Sequence, residues 1–318
     1  MIKGKRIVVT GGAGFIGSNL ARALARDNEV VVLDDLSTGH LENIQDFVDD
    51  GTLQFVEGSV TDLDLLHRTC NGVDVVFHEA AIPSVPRSVK DPLKTSFTNV
   101  NGTLNALLAA KDNGVTKVVY ASSSSVYGDT PMLPKQEDMA PCPLSPYAVS
   151  KLAGEYYCQV FTEVYGLQTV SLRYFNVYGP RQDPRGDYAA VIPRFIQRVL
   201  DDKSPVVYGD GEQTRDFTFI DDVVNANIVA AEHESTGVFN IAGGTRVSIN
   251  ELAQAILKIS GKQLELTYDA PRPGDVRHSL ADISKAEQEL GFKPQVDLIK
   301  GLEGTIEWFQ KQSLKCKL

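Results

Sequence analysis

Cysteine is scarce in this chain: Cys70, Cys142, Cys158 and Cys316 are the four among 318 residues. None forms a CxxC pair, and a chain this long buries enough surface to stand without disulfide staples. They read as reduced thiols of a protein expected to be cytoplasmic. The five histidines show no HExxH or HxxxH spacing, so no metal site is expected. No apolar run approaches the roughly 18 residues of a membrane helix, and the sequence enters a strand almost at once. Neither a transmembrane segment nor a signal peptide is expected, and Cys316 stands third from the end, which does not fit a prenylation box. Basic residues are in deficit, 31 against 41 acidic, for a net charge of -10. Nucleic acid and anionic membranes need a basic face, so neither is an expected partner. An anionic ligand must instead be held by a few local cations and backbone N–H groups.

The rest of the composition is ordinary, with no internal repeat or low-complexity stretch, and the length allows about two domains. Mostly β-branched apolar runs recur at Arg6–Thr10, Glu29–Leu33, Leu53–Val56, Val73–Phe77, Lys117–Ala121 and Thr169–Arg173. Runs without polar alternation suit parallel strands covered on both faces. Helical patterns such as Phe15–Arg26 and Asp62–Thr69 lie between them. This rhythm predicts an α/β fold with a doubly wound, Rossmann-like parallel sheet over 1–174. After Tyr174 the rhythm breaks, and helical segments at Ile192–Leu200, Asn250–Ile259 and Leu298–Gln312 mix with short strands. A smaller mixed α/β substrate lobe is expected over 175–318, with Val238–Ala242 as a strand returning to the sheet. Two helix patterns carry apolar stripes. One is Val149, Leu152, Ala153, Tyr156, Tyr157, Val160 and Val164 within 147–165; the other is Leu93, Phe97, Val100, Leu104 and Leu107 within 93–112. Such stripes either cover the sheet or form a helix-pair dimer interface.

The first run leads directly into Thr10-Gly-Gly-Ala-Gly-Phe-Ile-Gly17, and a helix follows. Glycines at 11, 14 and 17 give a tight turn, close backbone approach to a pyrophosphate, and close helix–strand packing. The helix N-terminus offers free N–H groups and partial positive charge to phosphates. Asp34 ends the second run twenty residues after Gly14. A carboxylate there takes both ribose hydroxyls of NAD and repels a 2′-phosphate; Asp35 reinforces the repulsion, and no Arg stands nearby in sequence. NAD, not NADP, is the expected cofactor.

Tyr147-Ala-Val-Ser-Lys151 sets Tyr and Lys at i, i+4, one above the other on a helix face. A free phenol titrates near 10 and is a poor base at neutral pH. A neighbouring ammonium and a cationic nicotinamide would lower that pKa, so that Tyr147 could take a hydroxyl proton while the cofactor takes a hydride from the same carbon. The run Ser122–Ser125 closes the fifth strand, where C-terminal strand ends face the ligand crevice. A hydroxyl there can relay between substrate oxygen and Tyr147; others of the four are expected only to cap backbone.

TGGAGFIG, the Asp after the second strand, SSxxVYG, YxxxK and Arg173-Tyr-Phe-Asn-Val-Tyr-Gly-Pro180 together resemble the extended short-chain dehydrogenase/reductases. Within these, nearly the whole chain resembles the UDP-glucose (UDP-galactose) 4-epimerases. The resemblance implies tightly held NAD, a UDP-sugar, and a 4-keto sugar that turns over and receives the hydride back on its other face. It implies a homodimer through the two striped helices. It assigns Ser123 as the catalytic hydroxyl, Tyr147 as the base and Lys151 as its electrostatic partner. It lays the cofactor against Gly11, Gly14, Phe15, Ile16, Gly17, Asp34, Asp35, Ser37, Thr38, Gly39, Ser59, Val60, Ala80, Ala81, Ile82, Asn99, Tyr147, Lys151 and Tyr174. Related dehydratases and decarboxylases carry an acid in the two positions after the catalytic hydroxyl. Ser124 and Ser125 stand there, which argues against both chemistries. His78 is expected to be a packed strand residue.

For the substrate, the resemblance matches Arg215 and Arg272 to the UDP pyrophosphate, Asn176 to the sugar nucleotide, Asp275 to a ribose and Tyr208 to uracil. Arg is the cation suited to bidentate phosphate binding. Ser84, Ser123, Ser124, Tyr147 and Val191 complete the expected substrate contacts. Ser279 falls where a bulky Tyr accompanies plain hexoses, so acceptance of UDP-N-acetylglucosamine and UDP-N-acetylgalactosamine is expected as well. Three other readings stay open on the residues: a UDP-glucuronate 4-epimerase using Arg87 for the carboxylate, a nucleotide-sugar dehydratase, and an inactive NAD-sensing protein.

Overall fold

The computed structural model describes residues 2–185, 189–271 and 276–315. Six apolar runs become parallel strands: β1 (Arg6–Thr10), β2 (Glu29–Asp34), β3 (Leu53–Glu57), β4 (Val75–His78), β5 (Lys117–Ser123) and β6 (Gln168–Tyr174). A seventh strand, Gly237–Ile241, pairs in parallel with β6, setting Phe239 opposite Leu172. The sheet order is Gly237–Ile241, β6, β5, β4, β1, β2, β3. It changes direction between β4 and β1, which opens a crevice beyond the C-terminal ends of those strands.

Alternate residues of each strand face opposite layers. Ile7 and Val9 of β1 join Leu20 and Leu24 of helix α1 (Phe15–Leu24) and Val223 of the helix Ile220–Glu232. Val8 joins Leu66, Leu107 and Phe161 on the other face. Both faces are dry, which is why the strands show no polar alternation; each such aliphatic side chain contributes about 1.5–3 kcal/mol on burial. His78 extends β4 one residue beyond the predicted run. Its ring is buried because Nδ1 meets Thr10 Oγ1 at 2.8 Å and Nε2 meets Thr103 Oγ1 at 3.0 Å. Burial first, and then Lys151, push its pKa down to about 3, so it is a neutral packing residue.

The second lobe carries the helices Val191–Leu200, Ile249–Ile259 and Leu298–Lys315. Its strands form short pairs: Thr214–Asp216 with Arg246–Ser248, and Val206–Tyr208 with Thr267–Asp269. Ile192, Phe195, Ile256 and Leu302 belong to the same apolar cluster as Ile7 and Val9, so the lobe is packed onto the sheet.

The apolar stripes do not simply cover the sheet. On the helix Pro146–Tyr165, residues Ala148, Cys158 and Phe161 face inward, whereas Val149, Tyr156, Val160 and Val164 are exposed. The other predicted helix runs on from Pro92 to Asp112, but a π turn at Phe97–Asn101 separates Pro92–Ser96 from Gly102–Asp112 and shifts the face they present. Leu93 and Phe97 end up exposed, while Leu107 is buried.

Candidate active site

A cavity of about 420 Å³ lies at the switch in strand order. Its floor is the turn after β1. Gly11 takes φ +69°, and a Cβ there would stand 2.6 Å from the Ala80 nitrogen. A Cβ on Gly17 would stand 2.2 Å from the Gly11 carbonyl oxygen, so α1 presses directly on the turn. A side chain at Gly17 would push the helix off the turn, and one at Gly11 would collide with the backbone that follows β4. Gly14 caps α1 without any side-chain acceptor, and the first turn holds no acid. The N–H groups of Phe15, Ile16 and Gly17 thus have no helical partner, and all three residues line the cavity. This arrangement suits a pyrophosphate.

Asp34 lines the same cavity and is 7% exposed. Its carboxylate accepts from Ala13 N at 2.9 Å and Leu36 N at 2.8 Å. Burial pushes its pKa up, and the backbone donors pull it back. Remaining lone pairs are available to a ribose diol. Asp35, Ser37, Thr38, Val60, Ala80, Ala81 and Ile82 also line the cavity, as do Tyr147, Lys151 and Tyr174. Gly39 and Ser59 adjoin it without lining it; a Cβ on Gly39 would meet the Asp34 carboxylate at 2.9 Å. Asn99 is buried behind the wall. Presented by the π turn, its Oδ1 accepts from Ile82 N at 2.8 Å, so it positions the lining segment and does not itself line the cavity. The cavity also gathers Arg181 and Arg185, which the sequence near Asp34 did not show.

Tyr147 and Lys151 occupy the first turns of the helix Pro146–Tyr165. Ser145 caps that helix by accepting from Ala148 N at 3.1 Å, with Pro146 in the first turn. Ser123, at the end of β5, stands close enough to Tyr147 for its hydroxyl to favour the phenolate and work to lower the phenol's pKa. The expected net depression is not found in the protein alone: burial dominates and raises the Tyr147 pKa, and Glu79 raises it further. Lys151 is turned toward the strand. Its Nζ donates to the Ala121 carbonyl at 2.7 Å and stands 6.0 Å from the Tyr147 ring centre. Burial pushes Lys151 itself down to about 8, with Glu79 opposing.

The four serines divide. Ser122 is buried and donates to Glu155, which is also paired with Arg173 at 2.8 Å. Ser123 Oγ accepts from Ser125 N at 3.2 Å and meets Tyr147. Ser123 and Ser124 are not among the residues lining either cavity.

A second cavity, of about 440 Å³, adjoins the first and shares Ser84, Ala189 and Ala190 with it. Ser84 holds φ +98°, an uncommon conformation for a residue with a side chain. The second cavity is lined by Asn176, Val191, Tyr208 and Arg215, as expected, and by Arg194, Gln213 and Phe217, which the sequence reading missed. Arg194 stacks on Tyr208, its guanidinium carbon 5.6 Å from the ring centre, and Nη2 donates to the phenol oxygen at 3.2 Å. Asn176 takes φ +35°, which Asn tolerates, and its Nδ2 donates to the Asp216 carbonyl at 2.8 Å. Asp216 is fully buried and accepts from Gly243 N at 3.0 Å and Ala281 N at 3.1 Å. It ties together the segments that carry Arg215 and Ser279, and burial pushes its pKa up to about 7. Ser279 donates its N–H to Thr214 O at 3.0 Å, beside Arg215, but is not among the residues lining either cavity. Arg272 and Asp275 lie outside the described residues.

Among the described residues no cluster of His, Cys, Asp and Glu could hold a metal ion, and no helix is long and apolar enough to cross a membrane.

The model of the NAD dependent epimerase/dehydratase family matches residues 7–242. A UDP-glucose 4-epimerase of Mycolicibacterium smegmatis is 42% identical over 312 residues, 97% of this chain and 99% of that protein. The structure of a UDP-N-acetylglucosamine 4-epimerase from Methanobrevibacter ruminantium M1, in complex with UDP-N-acetylmuramic acid, has a TM-score of 0.95 at 44% identity. It covers 98% of this chain and 100% of that one. A UDP-glucose 4-epimerase of Thermotoga maritima, solved with UDP-glucose, has a TM-score of 0.92 at 40% identity, covering 97% and 99%.

Proposed function

The chain belongs to the NAD-dependent epimerase/dehydratase family, and on that premise we propose that it inverts C4 of UDP-hexoses, plain and N-acetylated. The observation that carries the reading is Tyr147 and Lys151 on the wall of the cofactor cavity, with Ser123 beside Tyr147 at the end of β5 and then Ser124 and Ser125 where an eliminating enzyme needs an acid. The orphan N–H groups of α1 fit a dinucleotide pyrophosphate and Asp34 fits its adenosine ribose. NAD, when bound, supplies a reversible hydride acceptor, which no side chain can provide.

The side chains supply the rest. Tyr147 takes the C4 hydroxyl proton, and Ser123 bridges the phenol to that oxygen. Burial raises the phenol's pKa, and a cation bound in the cavity would lower it, so an occupied cavity favours proton removal. On return of the proton, the same pair delivers it to the inverted oxygen. Tyr208, Arg194 and Arg215 hold the nucleotide, so the keto sugar can turn over while its UDP stays anchored. Residues 1–174, with the returning helix and strand of 220–241, serve the cofactor; the remainder serves the UDP-sugar.

The assembly we propose is a cytoplasmic homodimer. Val89, Leu93, Phe97, Val149, Tyr156, Val160 and Val164 are 44–82% exposed on adjoining helices, an apolar area that a monomer rarely leaves in water. Incubation with UDP-glucose, UDP-N-acetylglucosamine and UDP-glucuronate, with products read by NMR, tests the activity. The expected products are the C4 epimers of the first two with no free NADH. A 4-keto-6-deoxy product, or epimerisation of the uronate alone, would replace this reading.

A further inference from the structure

Glu79 is a carboxyl group in the cofactor cavity that the reaction outlined above does not use. Burial pushes its pKa up to about 7, against the Tyr174 hydroxyl and the Lys151 ammonium, so it is an anion above neutral pH. It follows β4 directly, and its N–H donates to Thr10 O at 3.1 Å, against the glycine turn. Its Oε1 accepts from the Tyr174 hydroxyl at 2.9 Å. That hydroxyl accepts in turn from Asn227 Nδ2 at 2.8 Å, and Asn227 is fully buried. The carboxylate is therefore held in one place, on the wall it shares with Tyr147 and Lys151. Among the described residues it has no ion-pair partner within 4.0 Å, and no second hydrogen-bond donor. Its charge nevertheless reaches Lys151 and Tyr147.

A negative charge on a partly dry wall favours a cation beside it. The nicotinamide end of the dinucleotide belongs here, because the carbon that loses hydride is the one whose hydroxyl Tyr147 deprotonates. Hydride uptake removes one positive charge from the ring as the carbinol carbon becomes a ketone and its proton goes to Tyr147. Return of the same hydride and proton restores every charge. An anion on this wall thus opposes the first half of the cycle and favours the second.

We propose that Glu79 is a positioning residue whose charge, fixed through Tyr174, biases the bound dinucleotide toward its oxidised form. The inference rests on the NAD-dependent reading above. Its consequence is that hydride is held only briefly, so the keto sugar is reduced again before it can leave.

The test compares binding of oxidised and reduced cofactor, independent of turnover. The protein is equilibrated at about pH 8.5, where Glu79 is ionised, with an equimolar NAD–NADH mixture, gel-filtered, and the bound ratio read by chromatography. Glu79→Gln keeps an acceptor for Tyr174 but loses the charge; the bound NAD:NADH ratio should fall about tenfold, about 30 mV for a two-electron couple. Glu79→Asp keeps the charge and should stay near wild type. Tyr174→Phe removes the hydrogen bond but not the charge, and should move the ratio far less than Gln. A ratio in Glu79→Gln within about twofold of wild type overturns the inference, as does an equal shift in Glu79→Asp. A wild type that epimerises and binds NAD while Gln shifts nothing leaves the functional reading standing and removes only this one. A wild type that retains neither cofactor removes both.

Discussion

The cofactor cradle and the nucleotide-sugar cavity meet at Ser84, Ala189 and Ala190, yet they are held by different means. The cradle is backbone: a glycine turn jammed against α1, N–H groups left open by that helix, and Asp34 fixed by two amides. The second cavity is mostly side chain: Arg194 on Tyr208, Arg215 at a short strand pair, Asn176 in a left-handed conformation. A backbone cradle tolerates little change. A side-chain cavity can be retuned by single substitutions without disturbing the sheet. Cofactor identity should therefore be hard to alter and sugar choice easy.

The sharpest separation of the two regions should come from Tyr147→Phe. The ring still fills its place at the cradle, so NAD should stay bound while turnover falls by about 10²–10⁴-fold. A loss under about tenfold in single-turnover rate would mean the base has been misassigned. Next, Ser279→Tyr should lower kcat/KM for UDP-N-acetylglucosamine relative to UDP-glucose by roughly 5- to 150-fold, the cost of crowding a small pocket. An unchanged ratio would place Ser279 away from the sugar. Arg215→Ala should raise KM for UDP-sugars by roughly 10- to 150-fold with kcat and bound NAD unaltered, since a charged hydrogen bond is worth about 1.5–3 kcal/mol. Equal loss in KM and cofactor content would show that the two regions are not separable. The smallest effect should be Asp34→Asn, which keeps an acceptor for the backbone and loses only charge. The preference for NAD over NADP should narrow by roughly fivefold, about 1 kcal/mol, by calorimetry.

The same contrast governs what could be read from the sequence. The β-branched runs, the glycine turn, Asp34 and the Tyr147–Lys151 spacing are local patterns, and each strand of the seven-stranded sheet lies within a few residues of its predicted bounds. Where pattern and structure part, the cause is long-range. His78 lengthens β4 because Thr10 and Thr103 satisfy its ring. The Leu93–Leu107 stripe changes face because a π turn interrupts it. Glu79, Asn99, Arg194 and Asp216 carry no local signature. Glu79 meets Tyr174 across 95 residues, and Asp216 meets Ala281 across 65. A hint for Glu79 existed: it immediately precedes Ala80–Ile82, at the end of a strand that faces the crevice.

The central claim is that hydride leaves C4 and returns to the same carbon without entering solution. UDP-glucose carrying deuterium at C4 tests it directly, with product read by NMR and mass spectrometry. The account predicts UDP-galactose with the deuterium retained at C4 and no labelled NADH free in solution. Product that has lost its deuterium, or has moved it to C6 of a 4-keto-6-deoxy sugar, would contradict it.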